Sequence, residues 1–397
     1  MKKILMYMAA AALAAAIVTA CENDDTDFSR YTNAANADDG DDDSNTALTS
    51  GDTIFIVWSG SSATVSGDSK GYVSTTNADV VVDDPTATAD ASDLVLVLSG
   101  STSDGSLLVY RQKKYTIVLS GVSITNQDGP AINNQCGKAL SIVCADGTTN
   151  TLADGTAYDA TVTIDQKGAL FSEGQILFSG AGELSVLGNS KNAIASDDYI
   201  TIDGDVVINA TTSASGSNGI KVNDGMFING GTLTVSVASD GGRGIRSEAR
   251  TVITGGTTTI TTTGDCLIET AGGTADTTSC ACIKSDSLFT MTGGSLYVTS
   301  TGDGGKGIRC SQNIEFGGGT LVATTTGSND LSKPKAVKSD TGIIVSGGSF
   351  KATVSKSWAC DNGYESADES EQAANCVTVV GTPTTKTLAK KTVTIIY

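Results

Sequence analysis

The stretch "DGGRGIRSEARTVITGGTTTI", Asp240 to Ile260, returns 63 residues later as "DGGKGIRCSQNIEFGGGTLVA", Asp303 to Ala323. An Asp, a cation, a Gly-Ile, a second cation and a Gly-Gly recur in one order. Aligned on the aliphatic residue after the Gly, equivalent positions fall at Ile194, Ile220, Ile245, Ile283, Ile308 and Val337. The steps between them are 26, 25, 38, 25 and 29 residues. A Gly pair follows in register at Gly230-Gly231, Gly255-Gly256, Gly293-Gly294, Gly318-Gly319 and Gly347-Gly348. Two markers that hold one spacing through five units define a repeat architecture.

A period near 25 is too short for a propeller blade and lacks the Leu-Asn pattern of leucine-rich repeats. Each unit holds short alternating segments such as "TLTVSV", "SLYVTS" and "TLVATT" between Gly or Asp turns. Three such strands per turn, stacked on their equivalents, make an all-β fold, a right-handed parallel β-helix of about 25 residues per rung. The 38-residue step carries an insertion, "CLIETAGGTADTTS", that projects from one corner. Ile132 and Leu170 continue the marker column upstream. Period-two alternation points Leu233, Leu296, Leu321 and Phe350 inward as one ladder, with Val235, Ile260 and Val298 as the next. The Gly pair turns the corner between sheets, where Gly adopts φ > 0 without steric cost.

Composition agrees. The 397 residues include 46 Gly, 4 Pro and only 5% aromatics. With no His, Ser-His-Asp hydrolysis, His-ligated zinc and imidazole acid-base chemistry are excluded. The formal net charge of −19 argues against nucleic acid as a partner. The opening "MKKILMYMAAAALAAAIVTACENDD" has a basic start, an apolar run from Ile4 to Val18 and a Cys after Thr-Ala. Residues 1–20 read as a lipoprotein signal peptide and Cys21 as the lipidation site, since the run is too short to span a membrane. The acidic run "ENDD" resembles the export tags of lipoproteins displayed on the outer cell surface, so an outer-membrane, surface-displayed chain is expected. Residues 21–50 form an acidic tether, residues 51–355 the β-helix and 356–397 a C-terminal cap; a monomer is expected. Eight further Cys permit disulfides in an exported protein. Cys266 with Cys280 and Cys360 with Cys376 are the preferred pairs, and free buried thiols the alternative.

One residue after the marker come Lys221, Arg246, Lys284, Arg309 and Lys338, a cation on five consecutive rungs. Two residues further stand Asn223, Glu248, Asp286, Ser311 and Asp340. Two readings follow: a surface ion-pair network, or a line of cations that tracks the carboxylates of an extended anionic polymer. Asp240, Asp265, Asp303 and Asp330 form an acidic column at the turns. They are candidate Ca²⁺ ligands, or else turn caps. Tyr297 is the best candidate for stacking on a sugar. Nothing marks out a catalytic residue, because the cations repeat as a scaffold does.

The phrases "SGSTSDGSLLVY", "YTIVLSGVSITNQDGPAI" and "CADGTTNTLADG", followed by the repeated rungs, resemble a family of bacterial carbohydrate-binding β-helix lipoproteins with a fold like that of pectate lyases. The resemblance runs from about Asp52 to the C-terminus. It implies Ca²⁺ sites and binding of cellulose and polygalacturonate without cleavage. In this chain Arg243 and Lys306 stand just before the marker, where the family often has Asp-Asp-Gly, which favours an anionic ligand there. The expected function is therefore binding of a polysaccharide, acidic or cellulosic, along the Lys221 to Lys338 ladder. A lyase on the same fold and a protein-binding adhesin are the alternatives; the adhesin would act through the Cys266–Cys280 insertion.

Overall fold

The computed structural model describes residues 52–84, 94–271 and 274–397. The expected leader, Cys21 and the acidic tether lie outside them. Parallel strands stack into sheets of 12 and 23 strands. The larger sheet serves two sides of the coil. Tyr115–Asn126 shows how: it pairs with Leu140–Cys144 through its first half and with Thr149–Asp154 through its second.

Each full rung thereafter gives one strand to each of three sides. The first side, the 12-stranded sheet, holds Asn218–Val222, Arg243–Ser247, Ala281–Ser285, Lys306–Cys310 and Lys335–Ser339. The second holds Gly225–Ile228, Arg250–Ile253 and Phe289–Met291, and the third Thr232–Val237, Thr257–Thr262 and Ser295–Ser300. This is the expected parallel β-helix. The marker column is continuous, with Ile132, Leu170, Ile194, Ile220, Ile245, Ile283, Ile308 and Val337 paired rung to rung. It extends further than the repeat signal, to Val80 and Leu107 at one end and Cys360 at the other.

The inward ladders are buried as alternation requires: Leu233, Leu296, Leu321, Phe350, Ile260 and Val298 are all 0% exposed. Each such side chain contributes roughly 1.5–3 kcal/mol by leaving water. One rung breaks the ladder. Thr258 pairs between Leu233 and Leu296, is fully buried, and its hydroxyl has no hydrogen-bond partner. Replacing it with the isosteric Val removes a desolvated, unpaired hydroxyl at constant shape. Thr258→Val is expected to stabilise the coil by about 1–2 kcal/mol, read from urea unfolding.

Both Gly of each corner pair lie against the backbone of the preceding rung, and the second also needs a positive φ. The second, such as Gly294, has φ near +70°. The first lies against the backbone of the preceding rung; a Cβ on Gly293 would sit 2.2 Å from the carbonyl oxygen of Thr254. Rungs ~4.8 Å apart leave no room for a side chain there.

The insertion forms an antiparallel hairpin, Leu267–Ala271 with Thr274–Thr278. The end of the coil runs slightly beyond the expected boundary. Cys360–Asp361 and Thr378–Val379 still pair in parallel with the rung before them. A short helix, Glu369–Asn375, lies between these strands, capped by the Asp368 carboxylate. The antiparallel pair Thr385–Leu388 and Thr392–Ile396 then closes the third side on Ser349–Val354.

The expected disulfides are not formed. Cys266, Cys280, Cys360 and Cys376 are free and buried, as are the other four cysteines among the described residues. Cys280 Sγ instead lies 3.0 Å from the carbonyl oxygen of Asp265. Burial pushes the thiols of Cys144 and Cys282 up to about 12, so they pack as small apolar groups.

Candidate anion-binding face

The first side aligns the five ladder cations. Lys221, Arg246, Lys284, Arg309 and Lys338 pair in sequence across five adjacent strands. Their side chains are partly exposed, from 15% for Arg246 to 30% for Lys338 among those in ion pairs. Like charges at one position on neighbouring strands repel, and the acids two residues further along, Glu248, Asp286 and Asp340, answer most of them. Lys221 reaches Glu248 of the next rung at 3.2 Å. Asp286 is shared by Arg246 and by Lys284, the latter at 3.4 Å. Lys338 lies 3.8 Å from Asp340. Burial disfavours the Asp286 anion, but the hydrogen bond and charge of Arg246, with Lys284, hold it below the usual carboxylate range.

Arg309 is the exception. Its own rung has Ser311 where the others have an acid, and among the described residues no carboxylate pairs with it. Its Nε is buried without a partner.

A second cation column runs beside the first. Arg243, Ala281, Lys306 and Lys335 occupy one position on consecutive strands, two residues before the marker. Lys335 meets Asp361 at 2.8 Å. Lys306 is 5% exposed and donates to the carbonyl oxygen of Gly304 at 2.7 Å and to Ser332 Oγ at 3.1 Å, with no acid in contact. Burial, then the charges of Arg309, Lys338 and Lys335, depress its pKa to about 7.

That shift has a measurable consequence. The folded chain gives up the Lys306 proton between pH 7 and the ordinary lysine value of 10.5, while the unfolded chain keeps it. Lys306 therefore costs most stability at and below pH 7, and the cost is relieved as pH rises toward 10.5. Lys306→Met is expected to be the more stable protein at pH 6.5, with the advantage shrinking by up to about 1.4 kcal/mol per pH unit up to pH 9.5. Paired urea titrations at the two pH values check this.

The structure does not gather the other candidates onto this face. Tyr297 points outward and is 41% exposed, but its strand, Ser295–Ser300, belongs to the third side, away from the ladder. Tyr110 is a half-buried aromatic on the ladder's own sheet, four rungs upstream of Lys221. With Asp83, Asp84, Arg111, Gln112 and Gln135 it lines an open cleft of about 410 Å³.

The acidic column is a turn ladder. Asp240 accepts the backbone N–H of Asp265 at 2.8 Å, and Asp265 that of Asp303 at 2.7 Å. Asp303 accepts from Ser328 at 2.6 Å, while Asp330 leaves the series to pair with Lys356 at 2.7 Å. These oxygens are hard donors of the right kind for Ca²⁺, but they do not converge. Among the described residues the one group of three within 4.8 Å is Asp165, Glu173 and Asp197. There the ammonium of Lys167 already bridges Asp165 and Asp197.

The parallel β-helix, with its charged side chains in columns on one side, is a solenoid. The comparisons agree. Residues 84–357 match the family described as carbohydrate-binding domain-containing protein, and the chain belongs to that family. No curated protein matches the sequence. Among solved structures, the chain is similar to the polysaccharide lyase-like protein from C. thermocellum, in a gadolinium derivative. Identity is 24% and the TM-score 0.54, over 68% of this chain and 100% of that one, a likeness of fold.

Proposed function

We propose that this protein binds an extended acidic polysaccharide, a polyuronate such as polygalacturonate, along the cation columns of the first side without cleaving it. Attachment to the cell surface through lipid on Cys21 completes the reading. The family supports carbohydrate binding in general. The acidic ligand is carried by one observation: Arg309 stands without a carboxylate partner among the described residues, on a chain of net charge −19 whose other ladder cations are paired. A protein so rich in acid could have placed a carboxylate beside Arg309, and has Ser311 instead. An arginine fork suits a carboxylate bidentately.

Two considerations weigh against cleavage. A lyase needs a base that reaches the carbon next to the uronate carboxylate. Lys306 has the lowered pKa of such a base, but it is buried and its ammonium is engaged by Gly304 and Ser332. Ca²⁺ enters only as an ion shared between the exposed Asp240–Asp265–Asp303 ladder and carboxylates of the polymer. A neutral polymer such as cellulose is the second reading, favoured by the cleft at Tyr110 with its amides from Gln112 and Gln135.

Titration of the full chain with polygalacturonate, followed both calorimetrically and at the absorbance of unsaturated uronate, tests the proposal. Salt-sensitive binding with flat absorbance supports it. Rising absorbance would make the protein a lyase, and binding to cellulose alone would move the site to the Tyr110 cleft. Calcium sharing requires that chelation weaken the uronate complex.

A further inference from the structure

The upstream end of the first side has the opposite character to the ladder. On two adjacent strands Asp83 stands beside Tyr110, and Asp84 beside Arg111. Gln135 follows on the third strand, its backbone N–H on the carbonyl oxygen of Val109 at 2.9 Å. With Gln112 these residues line the cleft of about 410 Å³. Two of its donors are already engaged. Arg111 pairs with the Asp84 carboxylate and donates to the carbonyl oxygen of Lys113 at 3.1 Å. The Gln135 amide nitrogen donates to Asn133 Oδ1 at 2.7 Å and to the carbonyl oxygen of Asp165 at 3.0 Å. The acceptors are not engaged. Asp84 is 1% exposed, yet its Oδ1 has no partner, and a buried anionic oxygen costs free energy until a donor reaches it. The exposed carboxylate of Asp83 and the Oε1 of Gln135 accept no hydrogen bond among the described residues. The next rung continues the pattern. Glu173 follows Ser172, which pairs with Asn134, so it lies beside Gln135. The Lys167 ammonium bridges Asp165 and Asp197 and leaves Glu173, within 4.8 Å of both, without a donor among the described residues. Burial, then the charges of Asp197 and Asp165, push the Glu173 carboxyl above its usual range.

We propose that this cleft binds the protonated amine of an amino sugar in a polysaccharide, with the sugar ring against Tyr110. The proposal goes beyond the uronate reading and does not rest on it, since Tyr110 is four rungs from Lys221. An ammonium brings three donors and no acceptor, which suits a cleft with Asp84 Oδ1, Asp83 and Gln135 Oε1 to satisfy. A sugar hydroxyl brings one donor and no charge to set against two carboxylates. The Lys167 ammonium, seated between two acids on the next rung, is the same pairing made within the chain. Tyr110 offers its ring face both to the apolar face of a sugar and to a cation. The family makes a carbohydrate the bearer of the amine.

The test is calorimetric titration of the full chain, in mildly acidic buffer, with glucosamine hexamer, N-acetylglucosamine hexamer and cellohexaose. The glucosamine hexamer is expected to bind about tenfold more tightly than either neutral hexamer. Asp83→Asn, at an exposed position, should remove most of that preference, and matched thermal unfolding shows that the variant is folded. Tyr110→Ala should weaken binding of the glucosamine hexamer by about tenfold. Glu365→Gln, the same loss of charge on the exposed C-terminal cap, should change its affinity by less than about twofold. Equal affinity for the three hexamers overturns the proposal, and so does tighter binding of cellohexaose, which would give the cleft to a neutral glucan. A loss in Glu365→Gln equal to that in Asp83→Asn also overturns it, since attraction to a net charge of −19 would then explain the preference. Arg309→Glu should leave the glucosamine hexamer bound as in the parent. The polygalacturonate titration and the hexamer titration therefore fail separately, each for its own site.

Discussion

Arg309→Glu is expected to weaken polyuronate binding by about 100-fold without lowering the stability of the fold. The two halves of that expectation have separate causes. A carboxylate at this position removes a charge-assisted hydrogen-bond donor, worth about 1.5–3 kcal/mol, and adds repulsion toward the ligand. Within the protein, however, Arg309 has no acid to lose; its cross-strand neighbours are Lys284 and Lys338. Reversing the charge converts two repulsive pairs into attractive ones, each worth a few tenths of a kcal/mol. Adding Lys284→Glu should deepen the binding defect, at some cost in stability because Asp286 then retains Arg246 as its one partner. Calorimetric titration with polygalacturonate, run beside urea unfolding, reads both. If the columns were ion pairing alone, neither variant would change binding.

Gly294→Ala is expected to be a strongly damaging small substitution in the coil. Gly294 has φ +71°, a region that costs Ala about 1–2 kcal/mol. Its Cβ would also lie 2.4 Å from the carbonyl oxygen of Gly255, which belongs to the neighbouring rung. That oxygen cannot retreat without disturbing the stack. A loss of about 3 kcal/mol or more follows, measured by urea unfolding. Gly137→Ala is the control: nothing lies within 4 Å of its Cβ, so it should change stability by less than about 0.5 kcal/mol.

The rungs from Ile194 to Val337 could be read from sequence because two markers kept register. The first rungs could not. Val80 and Leu107 join the same column, but no Gly pair follows them to mark the turn. Alternation found the ladder cations correctly and missed the column of Arg243, Lys306 and Lys335 as a unit. In these strands Gly244 and Ile245 both face the core, and the pairing register passes over Gly244, so strict period two fails just there. A cation two residues before the marker, in "GRGI", "GKGI" and "KAV", was the available signal. Tyr297, the stacking candidate, faces outward on the third side and not on the ladder's. Alternation gives in or out, but a three-sided coil has three outsides. The disulfides failed for a related reason. Spacing suggested loops to be closed, whereas rung stacking buries each thiol against backbone carbonyls, as Cys280 shows.

Ligand lying over the cation columns would shield their lysines from reagent. Lysine acetylation of the full chain, with and without saturating polygalacturonate and resolved by peptide mass spectrometry, reads that shielding. Protection of Lys221, Lys284 and Lys338, with Lys386 and Lys391 of the C-terminal cap modified at unchanged rates, is the result predicted. Uniform modification of all five lysines in the presence of bound polymer would contradict it.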